Sequence, residues 1–243
     1  MNNLCDVFTG GGSVTLAYAE QHPTARLWMN DRDEGMADFW RLLSLGEIED
    51  LCNDVLTTPA DVGIFKDLKS RPNSAFAALY LNRTAFSGKS HTSPVGGWNQ
   101  TGKWKIVAEW RQNYLVAQIR KAAALLSGRT LVTNSDWRVV LDSLGDWQLY
   151  LDPPYYKAGR SMYRYSFGSH DHVELAERLR ARTNWLLSYD DHPEVRRLYS
   201  WAYIEEHAWT YSTESRSMKM GRELLIAPEP IKTTSSLFNE GTA

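Results

Sequence analysis

The sequence predicts an α/β fold, a mostly parallel sheet covered by helices on both faces. Three observations predict it. Short apolar runs bounded by turn residues recur at 4–8, 26–30, 130–133, 147–152, 184–189, 202–209 and 223–227. Segments with helical spacing lie between several of them, among them Val14 to Gln21, Asp33 to Leu45 and Asp171 to Arg182. A content of 43% hydrophobic residues in 243 can bury one substantial core and hardly a second. Alternation of this kind favours parallel strands, because each crossover helix buries its apolar stripe against the sheet.

The stretch 51–127 breaks the rhythm. Helical pieces at 60–69 and 74–82 lead into a polar, glycine-rich run from Ser87 to Lys103. A long amphipathic helix is then expected from Ile106 to Leu126, ended by Gly128. Residues 1–50 and 128–230 are accordingly expected to form the core, with 51–127 inserted into it. Residues 231–243, polar after Pro228 and Pro230, read as a flexible tail.

No apolar run reaches about 18 residues, so no membrane span is expected. The start, Met1 to Asp6, lacks the basic and then apolar pattern of a secretory leader. Cys5 and Cys52 are the two cysteines, without metal-ligand spacing; free thiols in a reducing cytoplasm are the expectation, and no metal site. A net charge of −2 does not by itself mark a nucleic-acid binder. Charge is uneven, however: Lys103, Lys105, Arg111, Arg120, Lys121 and Arg129 face a single acid, Glu109. Ten tryptophans suit either a dense core or the stacking of bases.

Asp6-Val7-Phe8-Thr9-Gly10-Gly11-Gly12-Ser13 closes a strand and opens a helix. Its glycines allow a sharp turn and the close approach of a ligand to the main chain. The pattern is neither a phosphate loop, since no Gly-Lys-Ser/Thr follows, nor a dinucleotide fingerprint, since the third spaced glycine is missing. A plain structural turn is the alternative. Asp31 ends the second strand, where nucleotide-binding α/β folds place an acid on ribose hydroxyls. It can equally cap the helix that follows.

Asp152-Pro153-Pro154-Tyr155 is the most informative segment. Its prolines fix φ and lack N–H donors, which makes a stiff corner with unpaired carbonyls. Asp152 and the Pro153 carbonyl can each accept one N–H of an exocyclic amine such as that of adenine, aiming the nitrogen lone pair at an incoming methyl group. Tyr155 can stack on the base. Positioning dominates such a reaction, and no strong general base is required. Cytosine C5 chemistry is excluded, because it needs a nucleophilic cysteine within this segment.

Together these residues resemble the Dam-type family of DNA (adenine-N6)-methyltransferases, over residues 4–228. The resemblance rests on Phe8 to Ser13, Asn30-Asp31, the run Tyr80-Leu81-Asn82-Arg83-Thr84-Ala85-Phe86-Ser87-Gly88, Asp152 to Tyr155, and Glu223-Leu224-Leu225-Ile226. It implies an S-adenosylmethionine-dependent, Rossmann-like sheet of seven strands with a mainly helical DNA-recognition insertion. It also implies methyl transfer to the N6 amine of adenine in double-stranded DNA, the base flipped into the pocket at Asp152, Pro153, Pro154 and Tyr155. The cofactor would lie over Asp6, Phe8, Thr9, Gly10, Gly11, Gly12 and Ser13, with Asp31 on its ribose and Asp152 beside it. Asp136-Trp137 is similar to the family segment beside the cofactor adenine, although Asp136 also reads as the cap of the following helix, Trp137 to Leu141.

The same resemblance turns Asn82, Arg83, Ser87, Lys89, Lys103 and Lys105 toward DNA, the lysines on phosphates. Trp98 or Trp104 would fill the space of an extruded base, or else pin the loop to the helix behind it. Tyr163 to Phe167 reads as a loop over the site, with Arg164 on the nucleotide or a phosphate. Asp191 reads as a helix cap before Pro193, with Tyr189 near the base pocket; His170 and His172 are too few for a metal. Family members carry a Gly-Gly-Lys segment before the glycine turn that this sequence lacks, for which Lys219 or Arg222 could substitute. The same chemistry on cytosine N4 or RNA, or DNA binding with weakened cofactor affinity, are the alternatives.

Overall fold

The computed structural model describes residues 3–156, 165–212 and 218–231. Strands β1 (Leu4–Asp6), β2 (Leu27–Asn30), β3 (Thr130–Thr133), β4 (Gln148–Leu151), β5 (Trp185–Asp190), β6 (Tyr203–Ser212) and β7 (Met218–Ala227) form one sheet of seven strands in the order β3-β2-β1-β4-β5-β7-β6. β1 to β5 run parallel, and β7 runs antiparallel to both β5 and β6. The chain steps outward from β1 to β3 and then returns to the other side of β1 with β4. That reversal opens a crevice beyond the carboxyl ends of β1 and β4, the place where open α/β sheets bind ligands.

Helices follow the strands: α1 (Ser13–Gln21) after β1, and α2 (Glu34–Leu45), α3 (Glu49–Thr57), α4 (Val62–Ser70), α5 (Ala75–Thr84), α6 (Ile106–Glu109) and α7 (Gln112–Leu126) between β2 and β3. α8 (Trp137–Ser143) precedes β4, α9 (Ser169–Arg180) precedes β5, and α10 (Pro193–Leu198) precedes β6. The strands' two-residue period divides the core. Leu4, Leu27 and Met29 pack with Phe39, Leu43, Leu115 and Ile119 on one face. Cys5, Val7, Trp28 and Leu151 pack with Val140, Leu175 and Val195 on the other. One hydrophobic cluster thus joins α2 to α7 with the strands beneath them.

Three local features differ from the expectations. α3 was not foreseen. The single helix expected from Ile106 to Leu126 is interrupted at Trp110 and Arg111, whose ψ angles are 70 and 84°. Tertiary packing causes the break, since neither proline nor glycine is present. Trp110 is buried beside Tyr80, ring centroids 4.6 Å apart, and its indole N–H donates to the Thr58 carbonyl at 2.8 Å. The caps also fall later than read. Asp33, not Asp31, accepts from the Gly35 and Met36 amides at the start of α2. His192, not Asp191, caps α10, while Asp191 pairs with Arg196 at 2.7 Å. Asp136 does cap α8, accepting from the Arg138 amide.

Asn30, 2% exposed, ties the carboxyl ends of the strands together. Its amide donates to the carbonyls of Val7 (3.0 Å) and Ser135 (3.2 Å), and its oxygen accepts from Thr133 Oγ1 (2.7 Å) and the Ser135 amide (3.0 Å). Arg129 does the same below the sheet, donating to carbonyls of Ala19, His22 and Leu125 and so joining α1 to α7. Asn30→Leu keeps the size of the side chain but strands buried polar groups. It is expected to cost about 2–4 kcal/mol and lower Tm by about 5–15 °C. A thermal melt unchanged by the substitution would contradict this role.

Candidate active site

The glycine turn is held by bonds the sequence leaves unstated. Gly10 and Gly12 have φ of 47 and 67°, the left-handed region open to glycine. A Cβ on Gly12 would stand 2.5 Å from the Trp40 ring, while one on Gly11 would meet open space. Trp40 Nε1 donates to the Gly10 carbonyl at 2.9 Å, and the Gly10 amide donates to Asp31 Oδ2 at 2.7 Å. Asp31 Oδ1 accepts from the Asp33 amide at 2.8 Å. The half-buried Asp31 therefore couples the end of β2 to the turn after β1. Burial pushes its carboxyl up to about 6 against the pull of these two amides.

Beneath the turn, Asp6 is 2% exposed. Its Oδ2 accepts from Thr15 Oγ1 at 2.7 Å, and its Oδ1 is buried without a partner. Burial pushes Asp6 up to about 7, with the bond from Thr15 opposing. Thr9 lies buried between Asp6 and Asn30, its amide donating to the Asn30 carbonyl at 2.9 Å.

Asp152 follows β4, with Pro153 buried behind it. Its Oδ1 is likewise buried and has no hydrogen-bond partner. Burial, followed by the charges of Glu223 and Asp6, pushes this carboxyl up to about 7. A cavity of about 280 Å³ joins it to the glycine turn. Phe8, Gly10, Gly11 and Asp31 line one side, and Asp152, Pro154 and Tyr165 another. Asn82, Gly88 and Lys89, from the end of α5 and the turn after it, close a third. A larger cavity of about 460 Å³ reaches Gly11 and Ser13 from the helical side. It contains neither Asp31 nor Asp152; the smaller one brings both together.

Other candidates lie farther out. Tyr155 does not line the smaller cavity; its hydroxyl donates to Glu223 Oε1 at 2.7 Å. Trp137 is buried against Phe167 on the opposite face, and neither it nor Asp136 lines either cavity. Arg83 lines the larger cavity with its Nε buried and unpartnered. Ser87, exposed, holds a φ of 56° in the turn Phe86–Gly88. Lys103 and Lys105 are exposed on a compact loop stapled by Gln100, which donates to the Val95 and Gly97 carbonyls and accepts from the Ile106 amide. Trp98 pins that loop to α4, its ring 5.8 Å from Phe65, whereas Trp104 remains 56% exposed. Arg164 and residues 232–243 lie outside the described residues. Among the described residues no helix is long and apolar enough to cross a membrane, and no cluster could hold a metal ion.

Glu223, Trp40 and Asn30 were not read as site residues. Glu and Asn in strands, and Trp in an amphipathic helix, give no local signal of such roles.

The Asp152 carboxyl holds its proton up to about 7 when folded and to 3.8 when unperturbed. Its contribution to stability is therefore full below the lower value and is lost as pH rises through the upper one. Asp152→Asn removes that penalty. The variant is expected to melt above the native protein at pH 8, by on the order of 2–4 kcal/mol, with the gap closing toward pH 4. An equal gap at both values would mean that the carboxylate's charge is not the cause.

Residues 1–213 match the family model described as D12 class N6 adenine-specific DNA methyltransferase. No curated protein matches the chain.

Proposed function

The chain belongs to the D12 class N6 adenine-specific DNA methyltransferase family, and from that premise we propose that Asp152 and the Pro153 carbonyl hold the target amine in the cavity beside the glycine turn. The observation that carries this reading is that Asp152, whose Oδ1 is buried without a partner, lines the same cavity as Gly10, Gly11 and Asp31. An orphaned acceptor is costly unless a ligand brings it a donor. An amine brings two, one for Asp152 and one for the Pro153 carbonyl. With both N–H bonds directed into the corner, the nitrogen lone pair turns away from the ring and toward the donor side of the cavity. The carboxylate also stabilises the positive charge that develops on nitrogen as the new bond forms.

The residues present fit S-adenosylmethionine. Each oxygen of Asp31 holds one backbone donor and keeps a second lone pair for a ribose hydroxyl. The open space over Gly11 lets a ligand lie against the main chain. When bound, the cofactor supplies the methyl group on its sulfonium sulfur. A base stacked in a duplex cannot reach Asp152, so the adenine is flipped into the cavity. Asn82 and Lys89 line that cavity, and Ser87 and Arg83 flank them; this edge faces the DNA, with exposed Lys103 and Lys105 on phosphates.

Incubation with a synthetic duplex and S-adenosylmethionine, followed by digestion to nucleosides, is expected to yield N6-methyladenine. N4-methylcytosine, or product from RNA alone, would overturn the reading. Asp152→Ala is expected to lower kcat by about 10²–10³-fold while calorimetry finds cofactor affinity nearly unchanged. Parallel loss of both would make Asp152 structural. The double replacement Lys103→Ala, Lys105→Ala should weaken DNA binding and flatten its dependence on salt, by about 0.9 in log–log slope for each phosphate contact removed. An unaltered slope would remove these lysines from the interface.

A further inference from the structure

Glu223 lies on β7, opposite Asp190 of β5 in the sheet register. One of its oxygens, Oε1, accepts from two hydroxyls: Tyr155 of the Asp-Pro-Pro-Tyr corner at 2.7 Å, and the buried Ser188 of β5. Tyr155 is thereby held at both ends, by the stiff proline backbone behind it and by its hydroxyl ahead. Among the described residues no salt bridge to Glu223 forms; His207, opposite it in register, pairs with Glu205 instead.

A carboxylate placed here must do something beyond stabilising the sheet. Ser188 or Tyr155 could be satisfied by any neutral acceptor, and a second negative charge beside Asp152 opposes folding. The charge has a use in the transfer itself. The target nitrogen becomes cationic as it gains the methyl group, and afterwards it passes a proton to the Asp152 carboxylate or to solvent. A second carboxylate near Asp152 favours both events.

We propose that Glu223 is a positioning residue for methyl transfer, acting through the Tyr155 hydroxyl on the aromatic ring and through its charge on Asp152. The proposal rests on the reading of Asp152 as the amine acceptor. The titratable groups facing this cluster come from every neighbouring strand: Asp6 of β1, Tyr150 of β4, Asp190 of β5, and His207 of β6, which pairs with Glu223 in register, while Tyr189 of β5 points to the other face and bonds His172. Glu223 and Asp6 both raise the Asp152 carboxyl, behind burial, and the same three acids raise the Tyr150 phenol. Asp6 and Asp190 remain when Glu223 is altered, so the charge of Glu223 can be tested separately.

Single-turnover methylation of a duplex by the full-length protein, measured from pH 5.5 to 9, tests this. Native enzyme should gain rate as Asp152 ionises. Glu223→Gln, of the same shape but uncharged, is expected to lower the rate about tenfold and to move the midpoint of the profile down by roughly one pH unit. Cofactor affinity should stay the same. Tyr155→Phe should lower the rate without moving the midpoint, and adding it to Glu223→Gln should cost less than the product of the two single effects. Ser188→Ala, which keeps the carboxylate, should leave the midpoint in place. A midpoint unmoved in Glu223→Gln, or fully independent losses in the double variant, would overturn the proposal. If Glu223→Gln fails to fold, Glu223→Asp decides: a midpoint near the native one with reduced rate supports the proposal, and native rate overturns it. Native enzyme that methylates no adenine would sink the functional reading instead.

Discussion

The carboxyl edge of the sheet gathers acids that no cation among the described residues pairs with, and the architecture around it follows from that constraint. Asp6, Asp31 and Asp152 stand at or just beyond the ends of β1, β2 and β4, and Glu223 lies beside the end of β5. Burying a carboxylate is costly unless donors surround it. The chain supplies some: Thr15 for Asp6, the Gly10 and Asp33 amides for Asp31, Tyr155 and Ser188 for Glu223. It leaves Oδ1 of Asp6 and Oδ1 of Asp152 without any. Of these acids Asp31 and Asp152 line the cavity, and their remaining acceptor capacity suits ligands rich in N–H and O–H donors, a description that fits a ribose diol and an amino group alike.

The helices between β2 and β3 hold this edge in place and also extend beyond it. Trp40 of α2 reaches the glycine turn and fixes the Gly10 carbonyl, which in turn aligns the Gly10 amide with Asp31. Asn82 at the end of α5 donates to the Gly88 carbonyl, drawing the turn at 86–88 toward the cavity that Asp152 lines. Phe8 meets Phe167 edge-on at 5.6 Å, so the segment before α9 closes over the same strand end. Packing in the helical segment and geometry in the cavity are thus one problem, because the same side chains serve both.

Much of this was legible beforehand, and the exceptions share a cause. Strand positions were readable because apolar runs with turn residues at both ends are local signals. The β6–β7 pair nonetheless extends farther than read, since Gly221 and Arg222 interrupt the brief apolar–polar alternation of Met218 to Met220. The break at Trp110 was invisible because its cause, the Thr58 carbonyl, lies 52 residues earlier. The caps were misplaced by one or two residues because several adjacent Asp and His side chains could each reach the first amides of the helix. Glu223 was read within a strand that carries the family resemblance, with no role of its own.

By itself the sequence determined the fold class and the two corners that matter, the turn at Gly10 to Gly12 and the stiff segment at Asp152 to Tyr155. It could do so because positive φ and the proline ring are constraints written into single residues. Only the tertiary structure decided that these corners share one cavity, that Asp31 bonds to Gly10 rather than capping α2, and that Glu223 takes up the hydroxyl of Tyr155. Those facts depend on strand register and on which polar atoms burial leaves without partners, and both are set by contacts between residues far apart in the chain.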